Sequence, residues 1–157
     1  MSAPQHPRRR SARKPVGWRE WVSFPTLDVD TIEAKIDTGA RTSALHAHRL
    51  RVVVKRGVET ARFEIHPVAG SARPSIKTEA EVVDWRRVRS SSGHLQHRPV
   101  ILTDVVLGDQ RWEIEVTLTS RDAMGYRLLL GRTAIAGRFV VDVARSHTQR
   151  VPGQSST

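Results

Sequence analysis

The chain has 157 residues, enough for one modest domain, and its apolar runs fall far short of the roughly 18 residues that a membrane helix needs. It has no cysteine, which excludes a disulfide scaffold, a thiol nucleophile and a zinc site built on thiolates. It carries 26 Lys and Arg against 16 Asp and Glu, yet Arg8, Arg9, Arg10, Arg13 and Lys14 crowd the first stretch with no acid among them, so the body is nearly balanced and the ends make the chain basic.

Residues 1–15 are polar, Pro-containing and basic, and lack the apolar stretch of a secretory signal, so they read as a disordered arm. Val16–Phe24 then alternates around Trp18 and Trp21. Thr31–Asp37 sets Ile32, Ala34 and Ile36 on one face against Glu33 and Lys35 on the other, the period of a half-buried strand. Thr38–Leu45 is a short-helix candidate. Leu50–Arg56 is rich in valine and stops at Gly57, and Ala61–His66 alternates again. Glu79–Arg89 and Arg98–Leu107 are rich in β-branched residues. Gly108-Asp109-Gln110 predicts a hairpin turn into Arg111–Thr119, where Trp112, Ile114, Val116 and Leu118 share a face. Tyr126–Leu130 and Phe139–Val143 are short apolar strands, Arg132–Ala136 is a second short-helix candidate, and residues 148–157 form a polar tail. Strands this short and closely spaced predict an all-β sandwich or barrel over 16–147.

One segment carries chemistry. Ile36-Asp37-Thr38-Gly39-Ala40 ends an alternating strand on an acid and turns through small residues. Alone it is weak, because Asp before such a turn also caps backbone N–H groups. A second segment, Leu128-Leu129-Leu130-Gly131-Arg132, is an apolar strand closing on Gly-Arg. Together, and in this order, the two resemble the retropepsin-like aspartic peptidases, in which a later apolar strand ending in Gly crosses the Asp-Thr-Gly loop. Val16-Gly17-Trp18-Arg19-Glu20-Trp21, Ala34–Ala47 and Arg127–Ala134 narrow the likeness to a bacterial family labelled ATP-dependent zinc protease, whose members accompany ATP-grasp glutamate ligases of the RimK type. The likeness covers residues 16–147. The label fits this sequence poorly. It has no His-Glu-x-x-His helix and no phosphate loop ending in Gly-Lys-Ser/Thr, so no cofactor is expected.

The resemblance implies a single pepsin-like lobe, a closed β barrel with one or two short helices. With one Asp-Thr-Gly per chain, it implies a homodimer in which two Asp37 carboxylates share a proton and hold a water. Asp37 is then catalytic. Thr38 locks the two loops, Gly39 offers its N–H to the carboxylate, Ala40 and Gly131 border the substrate, and Arg132 supports the loop or the dimer. Retropepsins usually follow this loop with acids, whereas Arg41-Thr42-Ser43 follows here. Arg41 and Arg132 beside the cleft suit acidic, Glu-rich peptides, and a glutamate ligase partner points the same way. An Arg41 bound by a local acid such as Asp122, or simply exposed, is the plainer account.

Other features have plain readings too. Ser90-Ser91-Ser92-Gly93-His94 is a candidate flap or an ordinary hairpin tip. His46 and His48 form a His-x-His pair able to hold zinc if His66, His94 or His97 joined them, but packing histidines are the simpler account. Asp122 and Asp142 read as turn caps. Trp18, Trp21, Trp85 and Trp112 read as core or dimer contacts. Two other functions stay open: a non-catalytic binding module that docks on a ribosomal or ligase partner, and a zinc hydrolase using His46 and His48. The expected location is the cytoplasm, with no membrane contact and no nucleic-acid role for the arm.

Overall fold

The computed structural model describes residues 12–89, 92–120 and 125–153. Twelve strands dominate: β1 (Lys14–Val16), β2 (Arg19–Phe24), β3 (Val29–Asp37), β4 (Ser43–His46), β5 (His48–Lys55), β6 (Val58–Ile65), β7 (Ile76–Glu81), β8 (Asp84–Arg89), β9 (Leu95–Leu107), β10 (Gln110–Thr119), β11 (Leu128–Gly131) and β12 (Phe139–Val141). A single helical turn, α1 (Arg132–Ile135), follows β11.

The strand order β10-β4-β11-β3-β2-β9 returns to β10 through the β9–β10 hairpin, closing a six-stranded barrel. β8 extends the sheet by pairing with the first half of β9. Alternation fills the interior: Val22 and Phe24 from β2, Ile32, Ala34 and Ile36 from β3, Ile114, Val116 and Leu118 from β10, and Leu128 and Leu130 from β11 are all buried. Gly108 turns the β9–β10 hairpin with φ of 62°, where L residues are strained. Outside the barrel, β5-β6-β7 form a separate three-stranded sheet, and β1 pairs in parallel with β12.

Two expectations need correction. Thr38–Leu45 is not helical. The chain turns at 38–42, and Ser43–His46 then inserts as a strand, parallel to Val116–Thr119 and antiparallel to Leu128 and Leu129. Ser43 and Leu45 alternate inward there, so barrel pairing wins over local propensity. Glu79–Arg89 is two strands. Val82 N–H donates to Glu59 O at 2.9 Å and Val83 N–H to Val100 O at 2.8 Å, so neighbouring residues bond to different sheets. Of the four tryptophans only Trp112 lies in the core; Trp85 is exposed, with its indole N–H on Glu59, and Trp18 and Trp21 are half-buried.

The domain reaches into both expected tails. Lys14 and Pro15 belong to β1. At the other end Thr148 and Gln149 donate to the fully buried Glu20 carboxylate. No described helix is long and apolar enough to cross a membrane.

Candidate active site

Asp37 ends β3, and β11 runs parallel beside it with Gly131 in register. The carboxylate points to the half-buried outer side. Its Oδ1 accepts the Gly39 N–H at 3.0 Å and the Ala40 N–H at 3.2 Å. Two backbone donors on one oxygen fix the orientation of the carboxylate. Thr38 and Gly39 are exposed at the tip of the loop.

The loop is clamped from below. Arg132 N–H donates to Ala40 O at 2.7 Å, and Thr133 donates to Arg41 O through both its N–H and its hydroxyl. The Arg132 guanidinium reaches back to Thr38 O at 3.1 Å. Gly131 packs against the Thr42 backbone so closely that a Cβ there would lie 2.6 Å from its carbonyl. Buried Ser43 completes the clamp: its Oγ accepts the Gly131 N–H at 3.1 Å and its carbonyl accepts the Thr117 hydroxyl. Asp37, Thr38, Gly39, Ala40, Gly131 and Arg132 therefore converge, although 94 positions separate Thr38 from Arg132. Ser43 and Thr133 were not singled out from sequence; the alternation of Ser43 with Leu45 was the available signal.

Beside the loop lies a groove of about 670 Å³, bordered by Arg41, Arg86 and Arg138 and by Glu113 and Glu115. Arg86 donates to Glu115 at 2.9 Å and to Asp84 at 3.2 Å, and the Glu115 carboxylate raises the guanidinium pKa above its ordinary value. Arg138 lies over the Trp112 ring, 4.7 Å from its centroid. The Arg41 side chain has no partner among the described residues. Asp122 lies outside the described residues, as do Ser90 and Ser91 of the candidate flap; His94 is exposed near the tip joining β8 to β9. Asp142 caps a turn, accepting the Ala144 N–H at 3.0 Å and pairing with Arg145.

His46, His48 and His66 stack face to face, with centroids 3.9 and 3.7 Å apart. The Arg127 guanidinium sits 3.0 Å from His46 Nδ1 and 3.3 Å from His48 Nε2. The guanidinium occupies one ring nitrogen of each of His46 and His48 and sets a fixed positive charge beside both, and the described residues hold no group of three or more His, Cys, Asp or Glu able to ligate a metal. These histidines do not fit zinc, and no step is routed through it.

A profile for the retropepsin-like aspartic endopeptidase RimB matches residues 15–152. A Shewanella halifaxensis protein named "Probable alpha-L-glutamate ligase" is 43% identical over 131 residues, covering 83% of this chain and 29% of that protein. A protein of the same name from Parasynechococcus marenigrum is 45% identical over 132 residues, covering 84% and 28%. The chain thus spans less than a third of the curated relatives it matches. A Legionella pneumophila crystal structure of unknown function superposes with a TM-score of 0.71 at 32% identity, covering 87% of this chain and 98% of that one. With a profile that matches residues 15–152, over a fold in which the Asp37 loop is held at its backbone by a Gly-Arg strand end, the chain belongs to the RimB-like family of retropepsin-like aspartic endopeptidases.

Proposed function

We propose that this chain is an aspartic endopeptidase that works as a two-fold dimer and cleaves acidic, glutamate-rich peptides. The observation that carries the reading is the Asp37 loop, whose carboxylate is fixed by two backbone N–H groups while the Gly131-Arg132 strand end closes beneath it. One such loop supplies one carboxylate. Peptide hydrolysis by this chemistry needs two, sharing one proton, so the second comes from a second copy with the site on the axis. The ionised member takes a proton from a water, the water oxygen attacks the scissile carbonyl carbon, and the protonated member polarises the carbonyl oxygen. Exposed Thr38 lies where the two loops would meet.

Substrate preference follows from the groove. Among the described residues the Arg41 side chain is unpaired, Arg138 rests on an aromatic face, and Arg86 alone of the three is engaged by acids. Two such grooves favour carboxylate side chains. The longer relatives are named for glutamate ligation, which supports a partner or a coupled activity that makes glutamyl peptides.

The test is cleavage of an oligo-glutamyl peptide, read by mass spectrometry. Turnover is expected from the native chain with a chelator present and absent from Asp37→Asn. Turnover that survives Asp37→Asn, or that the chelator abolishes, contradicts the reading.

A further inference from the structure

The outer face of the β5-β6-β7 sheet carries charge that its own residues do not neutralise. Arg49, Arg51, Arg62 and Lys77 surround a concavity of about 560 Å³ together with Glu64 and Glu79. Arg51 stands directly opposite Arg62 across the β5–β6 ladder, a like-charge pair that opposes folding. Both acids are already engaged. Glu79 takes Lys55 at 3.0 Å and Arg62 at 3.3 Å, and Arg49 reaches Glu64 at 3.9 Å. The Lys55 ammonium holds the Glu79 carboxyl below its usual range. Arg51 and Lys77 make no ion pair among the described residues.

The same sheet ends in an open edge. No described strand pairs with the outer side of β5, which runs through Val52-Val53-Val54 between Arg51 and Lys55, and Val54 is 72% exposed. An edge with free backbone groups takes up another strand. A second copy is a poor occupant, because antiparallel self-pairing would set Arg49 and Arg51 against Lys55 and Arg56. Nucleic acid is also poorly matched: among the described residues of this sheet Phe63 is buried in the core and the His48 ring is already stacked between His46 and His66, so neither is open to a base.

We infer that the β5 edge and the basic face beside it dock an extended acidic polypeptide, which adds a strand to β5 and sets its carboxylates on Arg51 and Lys77. The surface is separate from the Asp37 loop, so its test does not depend on catalysis. Binding of a fluorescent oligo-glutamate peptide is measured to the full chain carrying Asp37→Asn, with and without Arg51→Glu and Lys77→Glu. Arg51→Glu faces Arg62 and relieves a repulsion, whereas Lys77→Glu sets a second acid opposite Glu64, so Arg51→Glu with Lys77→Gln is measured beside the double reversal and the melting temperature of each is recorded. The double reversal is expected to weaken binding by about tenfold or more. Added salt is expected to weaken binding to the parent chain, and the peptide to slow amide exchange along β5. Unchanged affinity in the double reversal, unprotected β5 amides, or tighter binding of a single-stranded RNA than of the peptide would overturn the inference. Loss of cleavage in the native chain with this binding intact would sink the peptidase reading alone.

Discussion

Asp37 is held by hydrogen bonds to one oxygen, and an asparagine can keep that oxygen as an acceptor for Gly39 and Ala40. Asp37→Asn is therefore expected to leave the melting temperature nearly unchanged while removing turnover. Arg41 acts on substrate in the proposal, and its side chain makes no hydrogen bond or ion pair among the described residues. Arg41→Glu should lower kcat/KM for acidic peptides by about tenfold, mainly through KM, and spare neutral ones. Steady-state kinetics on matched glutamyl and glutaminyl peptides check this, and equal losses on both would contradict it. At this scale the sequence was informative where chemistry is local. Asp37-Thr38-Gly39 and Gly131-Arg132 stand out because together, and in this order, they resemble the retropepsin-like peptidases; each alone is an ordinary strand end. Arg86, Glu113 and Glu115 carry no such mark. They border the groove only because β8 joins β9 and β9 joins β10, a fact of tertiary pairing.

The element that positions the site most directly is β11, and it approaches the Asp37 loop closely because residue 131 has no side chain. A Cβ there would meet the Thr42 carbonyl carbon and oxygen at 2.6 Å, and backbone cannot swing away as a side-chain tip can. Gly131→Ala is expected to cost about 2 kcal/mol or more in urea unfolding, and to lower kcat in the protein that remains folded. An unchanged midpoint would mean that the strand and loop are not in contact. Strands whose residue types alternate, such as Thr31–Asp37 and Arg111–Thr119, were legible because their apolar face meets the core, although Thr117 and Thr119 on the other face of the latter are buried too. β4 was not: its four residues follow a turn of small residues and are strand only because β10 and β11 flank them. The break at Val82-Val83 was hidden too, since β-branched residues continue through it while the hydrogen-bond partner changes.

Across the whole molecule, Glu20 joins the two ends of the domain. Its buried carboxylate accepts from Gly17 N–H at 2.7 Å, Thr148 N–H at 3.0 Å, Thr148 Oγ at 2.7 Å and Gln149 N–H at 3.0 Å. The same closure presses Gly17 against the Arg145 carbonyl. Glu20→Ala leaves those donors without their acceptor at a fully buried position, and is expected to destabilise the fold by about 3 kcal/mol in chemical denaturation. An unaltered midpoint would show that the closure carries no weight. The sequence marked the end of the domain near 147; an acid in the second strand gave no hint that it holds the chain beyond that point. The account turns on two Asp37 carboxylates meeting across a dimer, so the most direct measurement mixes native and Asp37→Asn chains, refolds them together and follows peptide cleavage. Activity is predicted to fall with the square of the native fraction, because a mixed pair has only one ionisable Asp37. Activity that falls in simple proportion to the native fraction would mean that one chain suffices, and would contradict the shared site.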